Sequence, residues 1–494
     1  MQNSQQSAAT TSKPVPVELW LWPFAVGLAA YLIGIYASKF FLNDPDTFWH
    51  IGVGRWIIDH RAIPFHDPFS YTFQGQLWVP HEWLSEVIFA AIYQRFGWGG
   101  ICAITALCFS AALILLTRRL QDWLEAPRPA IAAALAVVLS APHLLARPHV
   151  LALPLLVLWI SGLISAREAK RAPSIALLPL MILWCNLHGG FIIGLIFCVL
   201  FTLEAVLAAD GQYRWQVLRQ WGFFTICAFA SALISPNGIQ GVLFSVRMMQ
   251  MTNALTFVQE WRSPDFHQFQ PVELWIALVI LGGFCLGIRL PVMRILMVLL
   301  LLHEALASVR NADLLGFIAP LLVAGPLATQ LPASSPTVDH RLHSPIGNSA
   351  FGTVWGSVTL LVMTLMFCST AWLLNLRGIG PSEKIAPASA LEFAHTNGLT
   401  GRVFNFYDFG GYLIFEGIPT FIDGRADPYT DQFIGNTFAA VDGSDKKLND
   451  LLDQYGVEWT LLPPYTTATV MLDHLPNWRR VYGDAYAVIH RRAL

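Results

Sequence analysis

The residues best suited to chemistry are concentrated in one stretch of the chain, residues 43–86. Two acids, Asp44 and Asp46, open it on either side of a proline, and His50 follows one helical turn after Asp46. Because only 13% of the chain is charged, this concentration asks for a functional explanation. A carboxylate can act as a general base toward a hydroxyl or an amine. Asp46 is therefore the expected base, and Asp44 is expected to orient it or to bind a metal.

Further polar residues lie at the ends of apolar runs elsewhere in the chain. The planar fork of arginine matches the oxygens of a phosphate in pairs, so Arg147 and Arg310 are candidates to hold one. Arg147, which precedes a proline, is also suited to neutralising a buried acid. His188 stands beside two glycines and either lines the site or is satisfied within a turn. The expected substrate-binding residues are His50, His81, Glu82, Arg147, His188, Glu260 and Arg310.

Structural roles compete with these functional ones. An aspartate before a helix forms an N-cap, and a helix is expected from about Thr47 to Asp59, with Trp49 and Trp56 as anchors at a membrane interface. Taken together with the histidines, the two acids favour a functional role. Hard divalent ions need several oxygen ligands, and Glu260 or Glu304 is the sole candidate for a third. No metal or other cofactor is therefore expected, although a divalent ion stays open.

The composition is that of an integral membrane protein. The 494 residues are 55% hydrophobic and 13% charged, against about 25% charged in a soluble domain. The net charge of −2 and the lack of a basic face exclude a nucleic-acid partner. The seven cysteines lack the spacing of a zinc site or a disulfide framework. Residues 1–16 lack the features of a signal peptide and are expected to be a disordered cytoplasmic N-terminus.

Long apolar runs predict about eleven transmembrane helices in a domain spanning residues 17–376, since a span needs about 20 such residues. Lysine and arginine recur in alternate loops, which predicts that those loops are cytoplasmic. The first external loop, 42–85, and everything after Leu376 then lie outside, and 331–351 is a cytoplasmic linker. The polar residues above all fall at the outer face, which predicts one polar cavity there. The runs are 17–41, 86–117, 129–142, 150–166, 174–189, 190–209, 220–235, 271–288, 292–308, 313–330 and 352–376.

The last part of the chain, 377–494, changes character. Helical and strand-like segments alternate in it, which predicts a small α/β extramembrane domain. Strands are expected at 402–406, 420–422, 458–462 and 486–491, and a helix at 447–455. The domain is expected to guide the acceptor. The motifs Asp408-Phe409-Gly410-Gly411-Tyr412 and Asp423-Gly424-Arg425 stand out in it without an assignable role.

This arrangement resembles the GT-C superfamily of integral membrane glycosyltransferases, which includes protein O-mannosyltransferases and lipid A aminoarabinose transferases. The resemblance rests on Asp44-Pro45-Asp46 opening a large first external loop, on Asp67-Pro68-Phe69-Ser70 and on His81-Glu82-Trp83-Leu84. It implies that the loop acid is a catalytic or metal-binding carboxylate and that the donor is a polyprenyl-phosphate sugar. Members often carry adjacent acids, so the proline here leaves open which aspartate is the base.

The expected protein is thus an all-α polytopic enzyme with a small C-terminal α/β domain, in a bacterial inner membrane. It would transfer a sugar from a polyprenyl-phosphate donor to a glycan, lipid or protein acceptor on the periplasmic face. One alternative is a transporter or flippase for a lipid-linked substrate, which calls for acids near the bilayer middle and often an internal repeat. Another is a non-catalytic component of an envelope polysaccharide assembly complex, in which the loop acids would be helix caps.

Overall fold

A computed structural model describes residues 18–331 and 350–493. The expected disordered N-terminus, 1–16, and most of the expected linker, 331–351, lie outside these residues. Helices make up most of the described chain, and a small sheet follows them. The helices up to Leu376 are α1 (Glu18–Tyr36), α2 (Ser38–Phe41), α3 (Asp46–His60), α4 (Trp83–Leu120), α5 (Arg128–Ser140), α6 (Pro148–Glu168), α7 (Leu178–Leu187), α8 (Phe191–Leu207), α9 (Arg214–Ala232), α10 (Ile239–Met249), α11 (Thr252–Phe257), α12 (Pro271–Leu286), α13 (Val292–Ala307), α14 (Ala312–Ala328) and α15 (Ala350–Leu376), together with the short helices between them.

Each apolar run predicted from the sequence falls on a helix. Three helical segments of the described chain are long and apolar enough to cross a membrane: Trp83–Leu120, Pro148–Glu168 and Val309–Ala328. Six further apolar helices are shorter, at 10–17 residues. The chain is therefore an integral membrane protein, while the expected number of eleven spans is finer than helix length and composition establish. The expected helix at Thr47–Asp59 is confirmed as α3.

The longest helix, α4, is broken at Gly97, whose φ of 56° and ψ of −157° are not helical. The side chain of Asn375, near the end of α15, repairs the break. Its Oδ1 accepts from the Gly99 amide at 2.9 Å, and its Nδ2 donates to the Phe96 carbonyl at 2.6 Å. A kink is tolerated in an apolar environment when a neighbouring side chain satisfies the freed backbone groups, so α15 is tied to α4 at this point.

The two ends of the helical bundle carry different sets of charges. At one end, Arg119 at the end of α4 contacts Glu168 at the end of α6 at 3.0 Å. At the same end, Arg294 donates to Glu204 at 2.9 Å, with both side chains largely buried. These pairs neutralise charges that would be costly if isolated. The opposite end gathers the acids and histidines of the first loop, as the expected one-sided distribution requires.

The C-terminal part is an α/β unit. Its four strands are β1 (Val403–Asn405), β2 (Trp459–Leu462), β3 (Trp478–Gly483) and β4 (Val488–Arg492), in the order β1-β2-β4-β3. β1 and β2 are parallel, and the other two pairings are antiparallel. The helices are α16 (Ala388–Thr396), α17 (Gly410–Phe415), α18 (Asp431–Val441), α19 (Asp445–Gln454) and α20 (Thr467–His474).

Three of the expected strands and the expected helix of this unit are confirmed as β1, β2, β4 and α19. The strand expected at 420–422 is wrong. Thr420 instead makes a single parallel bridge to Ser70 of the first external loop. The apolar residues of this segment are buried because they pack between that loop and the sheet, not because they belong to it. β3 and the other helices were not expected from the sequence.

Candidate active site

The acids of the first loop lie where several helices begin or end. α3 begins at Asp46, α4 begins just after Glu82, and α6 begins just after Arg147. Arg147 has an extended backbone, with φ −122° and ψ 158°, because the residue before a proline is disfavoured in the helical region. Two short turns, Gln259–Trp261 and Val309–Asn311, complete the cluster. Chain reversals at one end of the bundle thus bring together residues far apart in sequence.

Asp44 is buried and paired with Arg147. The guanidinium donates to both carboxylate oxygens of Asp44, through Nε at 2.5 Å and Nη2 at 2.7 Å. The same carboxylate accepts from the backbone amide of Asp46, the first residue of α3, at 3.1 Å. A two-pronged arginine–carboxylate pair is directional and strong. Asp44 is therefore fully engaged, and its geometry is that of a residue that holds others in place.

Asp46 is less enclosed than its neighbour. Its carboxylate lies 2.9 Å from Arg147 Nη2, and its side chain keeps 17% exposure. Burial, together with the negative charges of Asp44 and Asp408, raises the pKa of Asp46 to about 7 against the opposing positive charge of Arg147. A carboxylate with a pKa near the working pH is well matched to proton transfer. Of the two acids, Asp46 is thus the one whose surroundings suit proton transfer.

A chain of alternating charges extends from the two aspartates. Arg147 also pairs with Glu260, and Glu260 accepts from Arg310 Nη1 at 3.0 Å. The Arg310 guanidinium lies 4.4 Å from the centre of the Trp261 ring, a cation–π contact. Arg310 is the most exposed member of the chain, at 26%. Only one nitrogen of the Arg310 guanidinium donates to Glu260, so the other N–H groups can donate to an anionic group.

Three histidines surround Glu82. His188 Nε2, His81 Nε2 and His50 Nε2 lie 3.4, 3.7 and 3.8 Å from its carboxylate oxygens. Burial raises the pKa of Glu82 to about 7, and burial lowers the pKa of His81 to about 4 and that of His50 well below its ordinary value. The two histidines are therefore uncharged near neutral pH. All seven residues expected to bind substrate thus lie in two adjoining groups, one around Arg147 and one around Glu82.

The resemblance noted above implies that the loop acid is catalytic or binds a metal, and the donor set does not fit a metal. The guanidinium of Arg147 already contacts Asp44, Asp46 and Glu260. A hard divalent ion would need those same oxygens, so the arginine supplies the positive charge in its place. Within residues 18–331 and 350–493, no group of three or more His, Cys, Asp or Glu could hold a metal ion.

The C-terminal unit closes one side of the site. Arg425 donates to Asp423 at 2.8 Å through Nε and to Asp67 of the first loop at 2.7 Å, with all three side chains buried. Burial favours a lower pKa for Arg425, but Asp423 and Asp67 outweigh it and hold the pKa well above its ordinary value. The lock formed by Asp67, Asp423 and Arg425 fixes the loop to the unit. It explains the motif Asp423-Gly424-Arg425, which had no assignable role.

Gly424 brings this motif against the expected base. A Cβ atom built on Gly424 would lie 1.9 Å from Asp46 Oδ1, and one on Gly411 would lie 2.4 Å from the Pro45 carbonyl oxygen. The Pro45 carbonyl is backbone and cannot move aside, so position 411 requires glycine, whereas a side chain at position 424 would displace the Asp46 carboxylate. The C-terminal unit is therefore not a separate body beside the membrane domain. It forms a wall of the same site.

Asp408 also belongs to this site. It lies in a motif that the sequence made conspicuous but to which no role could be assigned. It stands in the turn Tyr407–Phe409, immediately before α17. Burial raises the pKa of Asp408 to about 6, the negative charge of Asp44 adds to the rise, and Arg147 and Lys384 oppose it. The signal in the sequence was an acid before a glycine pair. Its position became apparent only through the docking of α17 on the first loop.

The fold has relatives among solved structures, although no protein-family model and no curated protein matches the sequence. ArnT from Cupriavidus metallidurans in the apo state is 14% identical over 94% of this chain and 97% of that chain, with a TM-score of 0.50. The oligosaccharyltransferase of Archaeoglobus fulgidus in the apo form is 11% identical over 90% of this chain and 69% of that chain, with a TM-score of 0.50. At such identities the likeness establishes a shared fold.

Proposed function

We propose, from the GT-C glycosyltransferase fold that this chain has, that it is a membrane glycosyltransferase. It transfers a sugar from a polyprenyl-phosphate carrier to an acceptor on the outer, periplasmic face of a bacterial inner membrane. The observation that carries this proposal is Asp46. It is a partly exposed carboxylate with a pKa raised to about 7 by burial, held by Arg147 where the first loop, the helical bundle and the C-terminal unit meet.

The reaction assigns a proton to Asp46. An acceptor oxygen or nitrogen attacks the anomeric carbon of the donor sugar, the bond from that carbon to the phosphate oxygen breaks, and the carrier phosphate leaves with the bonding electrons. Asp46 takes the proton that the acceptor loses. Asp44 does not react. It holds Arg147, which in turn holds the reactive carboxylate in position.

Arg310 is assigned to the donor phosphate. Arg147 contacts three carboxylates. Arg310, in contrast, donates one hydrogen bond to Glu260 and makes a cation–π contact with the ring of Trp261. A guanidinium with free donors binds two phosphate oxygens at once. We therefore assign phosphate binding to Arg310 and charge neutralisation to Arg147, which resolves the two roles that the sequence left open for Arg147.

The group around Glu82 lines the remaining side. His50 and His81 are uncharged near neutral pH because burial lowers the pKa of both. Neutral imidazoles can donate and accept hydrogen bonds without attracting a phosphate. We assign His50, His81, His188 and Glu82 to the hydroxyl groups of the transferred sugar, and Glu260 to the placement of the two arginines.

The test is turnover of a defined donor. The purified protein in lipid nanodiscs is given an undecaprenyl-phosphate sugar labelled in the sugar, together with an envelope extract as acceptor. We expect release of undecaprenyl phosphate and appearance of the label in a new glycoside. A transporter would instead move the intact donor across a proteoliposome membrane without cleaving it, and that result would overturn the proposal.

A further inference from the structure

The carboxyl ends of β1 and β2 in the C-terminal sheet face the two aspartates. β1 and β2 are parallel, with Asn405 opposite Leu461, so the segments that follow them leave the sheet at the same edge. Asp408 follows β1, and Tyr465 follows β2. Ligands of α/β units commonly bind outside the carboxyl ends of parallel strands. This edge is pressed against the first loop, since Gly411 touches the Pro45 carbonyl.

The side chains of Asp408 and Tyr465 have no structural task. Within residues 18–331 and 350–493, neither side chain has a hydrogen-bond or ion-pair partner. Tyr465 is 73% exposed. The loop that carries it is nevertheless fixed, because the hydroxyls of Thr466 and Thr469 both donate to the Pro463 carbonyl, at 3.1 and 2.8 Å. The backbone that carries the ring is thus ordered before binding, so ordering this loop adds little to the cost of binding a ligand.

We propose that Asp408 and Tyr465 form the acceptor subsite and that the acceptor is a sugar ring. This inference rests on the proposed function. The C–H face of the ring stacks on Tyr465, whose π-system is negative on its face. A hydroxyl of the ring donates to Asp408, since a carboxylate only accepts. Held at both points, the acceptor presents a second hydroxyl to Asp46, which lies across the contact between α17 and the first loop.

The surroundings favour a neutral ring over other acceptors. Asp44 and Asp46 are paired with Arg147, whereas Asp408 has no ion-pair partner among the described residues, so its negative charge disfavours an anionic acceptor at this point. A peptide cannot add to the sheet beside Asp408, because the outer edge of β1, the strand that leads to this residue, is covered. The Tyr71 hydroxyl donates to the Val403 carbonyl at 2.9 Å, and the Asn405 side chain exchanges hydrogen bonds with Phe421 and Ile422.

Saturation-transfer NMR on the nanodisc protein tests the subsite directly. The probes are the methyl glycosides of mannose, glucose, galactose and N-acetylglucosamine. We expect at least one probe to receive saturation at its ring C–H protons from the wild type. Tyr465→Ala should reduce that signal about tenfold, the loss of roughly one stacking contact, and Asp408→Asn should reduce it as well. The matched controls are Tyr486→Ala and Asp450→Asn, exposed residues of the same unit.

The outcomes separate this inference from the proposed function. If no probe is saturated, or if Tyr465→Ala saturates as the wild type does, the subsite is wrong even when donor turnover is observed. If saturation depends on Tyr465 but the wild type cleaves no donor, the sugar site stands and the transferase proposal fails. When both hold, Tyr465→Ala should raise the KM for the bound glycoside about tenfold and leave the donor KM unchanged.

Discussion

Asp44 and Asp46 are two residues apart and have different surroundings. Asp44 is buried and accepts two hydrogen bonds from the Arg147 guanidinium. Asp46 makes a single contact with the same guanidinium and stays partly exposed. The negative charge of Asp44 is one of the causes that raise the pKa of Asp46. The proposed roles, with Asp44 holding Arg147 and Asp46 taking the proton, therefore rest on this difference in contacts.

The rate of sugar transfer should rise with pH. Asp46 accepts a proton only when ionised, and burial raises its pKa to about 7. The value of kcat/KM should be measured from about pH 5 to about pH 9. We expect it to be low at acid pH and to level off above about pH 7. Asp44→Asn removes a charge that raises this pKa, so the acid limb should move to lower pH.

This shift also identifies the titrating group. Burial raises the pKa of Glu82 to about 7 as well, with Arg310 and Arg147 opposing it, and Asp44 is not among the groups that act on it. If the acid limb of the kcat/KM profile does not move in Asp44→Asn, the titrating group is Glu82 or another residue and not Asp46. Asp59→Asn, an exposed change on the same helix, should leave the limb unmoved.

Replacing Arg310 should affect donor binding. Lysine keeps the charge of Arg310 but loses the paired geometry with phosphate, so Arg310→Lys should raise the donor KM by about tenfold to a hundredfold. The kcat should change little, because the contact is made before the reaction. Arg262→Lys, an exposed neighbour, is the control. A lower kcat at unchanged KM would instead place Arg310 at the transition state.

At the level of single residues, the sequence predicted a good part of the candidate site. Its acids, its histidines and Arg147 were identified because polar residues are rare in so apolar a chain. The partner of Arg147 was not, because Asp44 is 103 residues away. Asp408 and the Asp423–Arg425 pair were noticed but not interpreted, since their contacts to the first loop depend on tertiary docking that no local pattern encodes.

The first loop and the C-terminal unit are joined elements. Asp67 also accepts from the Ser70 hydroxyl at 2.5 Å, and Trp78 Nε1 donates to Asp427 at 3.1 Å. The ring of Trp78 lies 4.8 Å from the Arg425 guanidinium. These contacts hold the loop that carries the aspartates, so the unit positions the reactive carboxylate.

Arg425→Met should loosen this junction. It leaves Asp67 and Asp423 buried without their cation, which costs about 3–5 kcal/mol. We expect a lower unfolding temperature in nanodiscs and faster proteolysis between positions 61 and 82. Arg480→Met breaks a partly exposed pair with Asp473 and should cost at most about 1 kcal/mol. Equal effects of the two changes would show that the lock does not hold the loop.

The elements of the membrane domain were predictable because apolar runs have a characteristic length. The boundaries of α4 illustrate the limit. Its 38 residues are one merged helix with a break at Gly97, and the sequence pattern of apolar residues continues through that break. In the C-terminal unit, the strands whose residues are mostly buried were predicted, whereas β3 was missed because its residues are mostly exposed.

The whole molecule is polarised along its helices. The end that carries Arg119 and Arg294 is separated by the length of the bundle from the end that carries Asp46. If the proposed orientation is right, the first end lies in the cytoplasm, where lysine and arginine accumulate.

Labelling of introduced cysteines tests this orientation. In a variant with the seven native cysteines replaced, Asp450→Cys in the C-terminal unit should react with a membrane-impermeant maleimide applied to spheroplasts. Arg171→Cys, exposed between α6 and α7, should react only after the membrane is permeabilised. The reverse pattern would place the site in the cytoplasm and exclude a periplasmic reaction.

The measurement that tests the central claim most directly is donor turnover by Asp46→Asn. Asparagine keeps the shape of the side chain and removes its ability to take a proton. With normal membrane levels, sugar transfer should fall by a factor of about 10²–10⁴, while Asp59→Asn on the same helix transfers sugar as the wild type does. Full activity in Asp46→Asn would contradict the assignment of this carboxylate as the base.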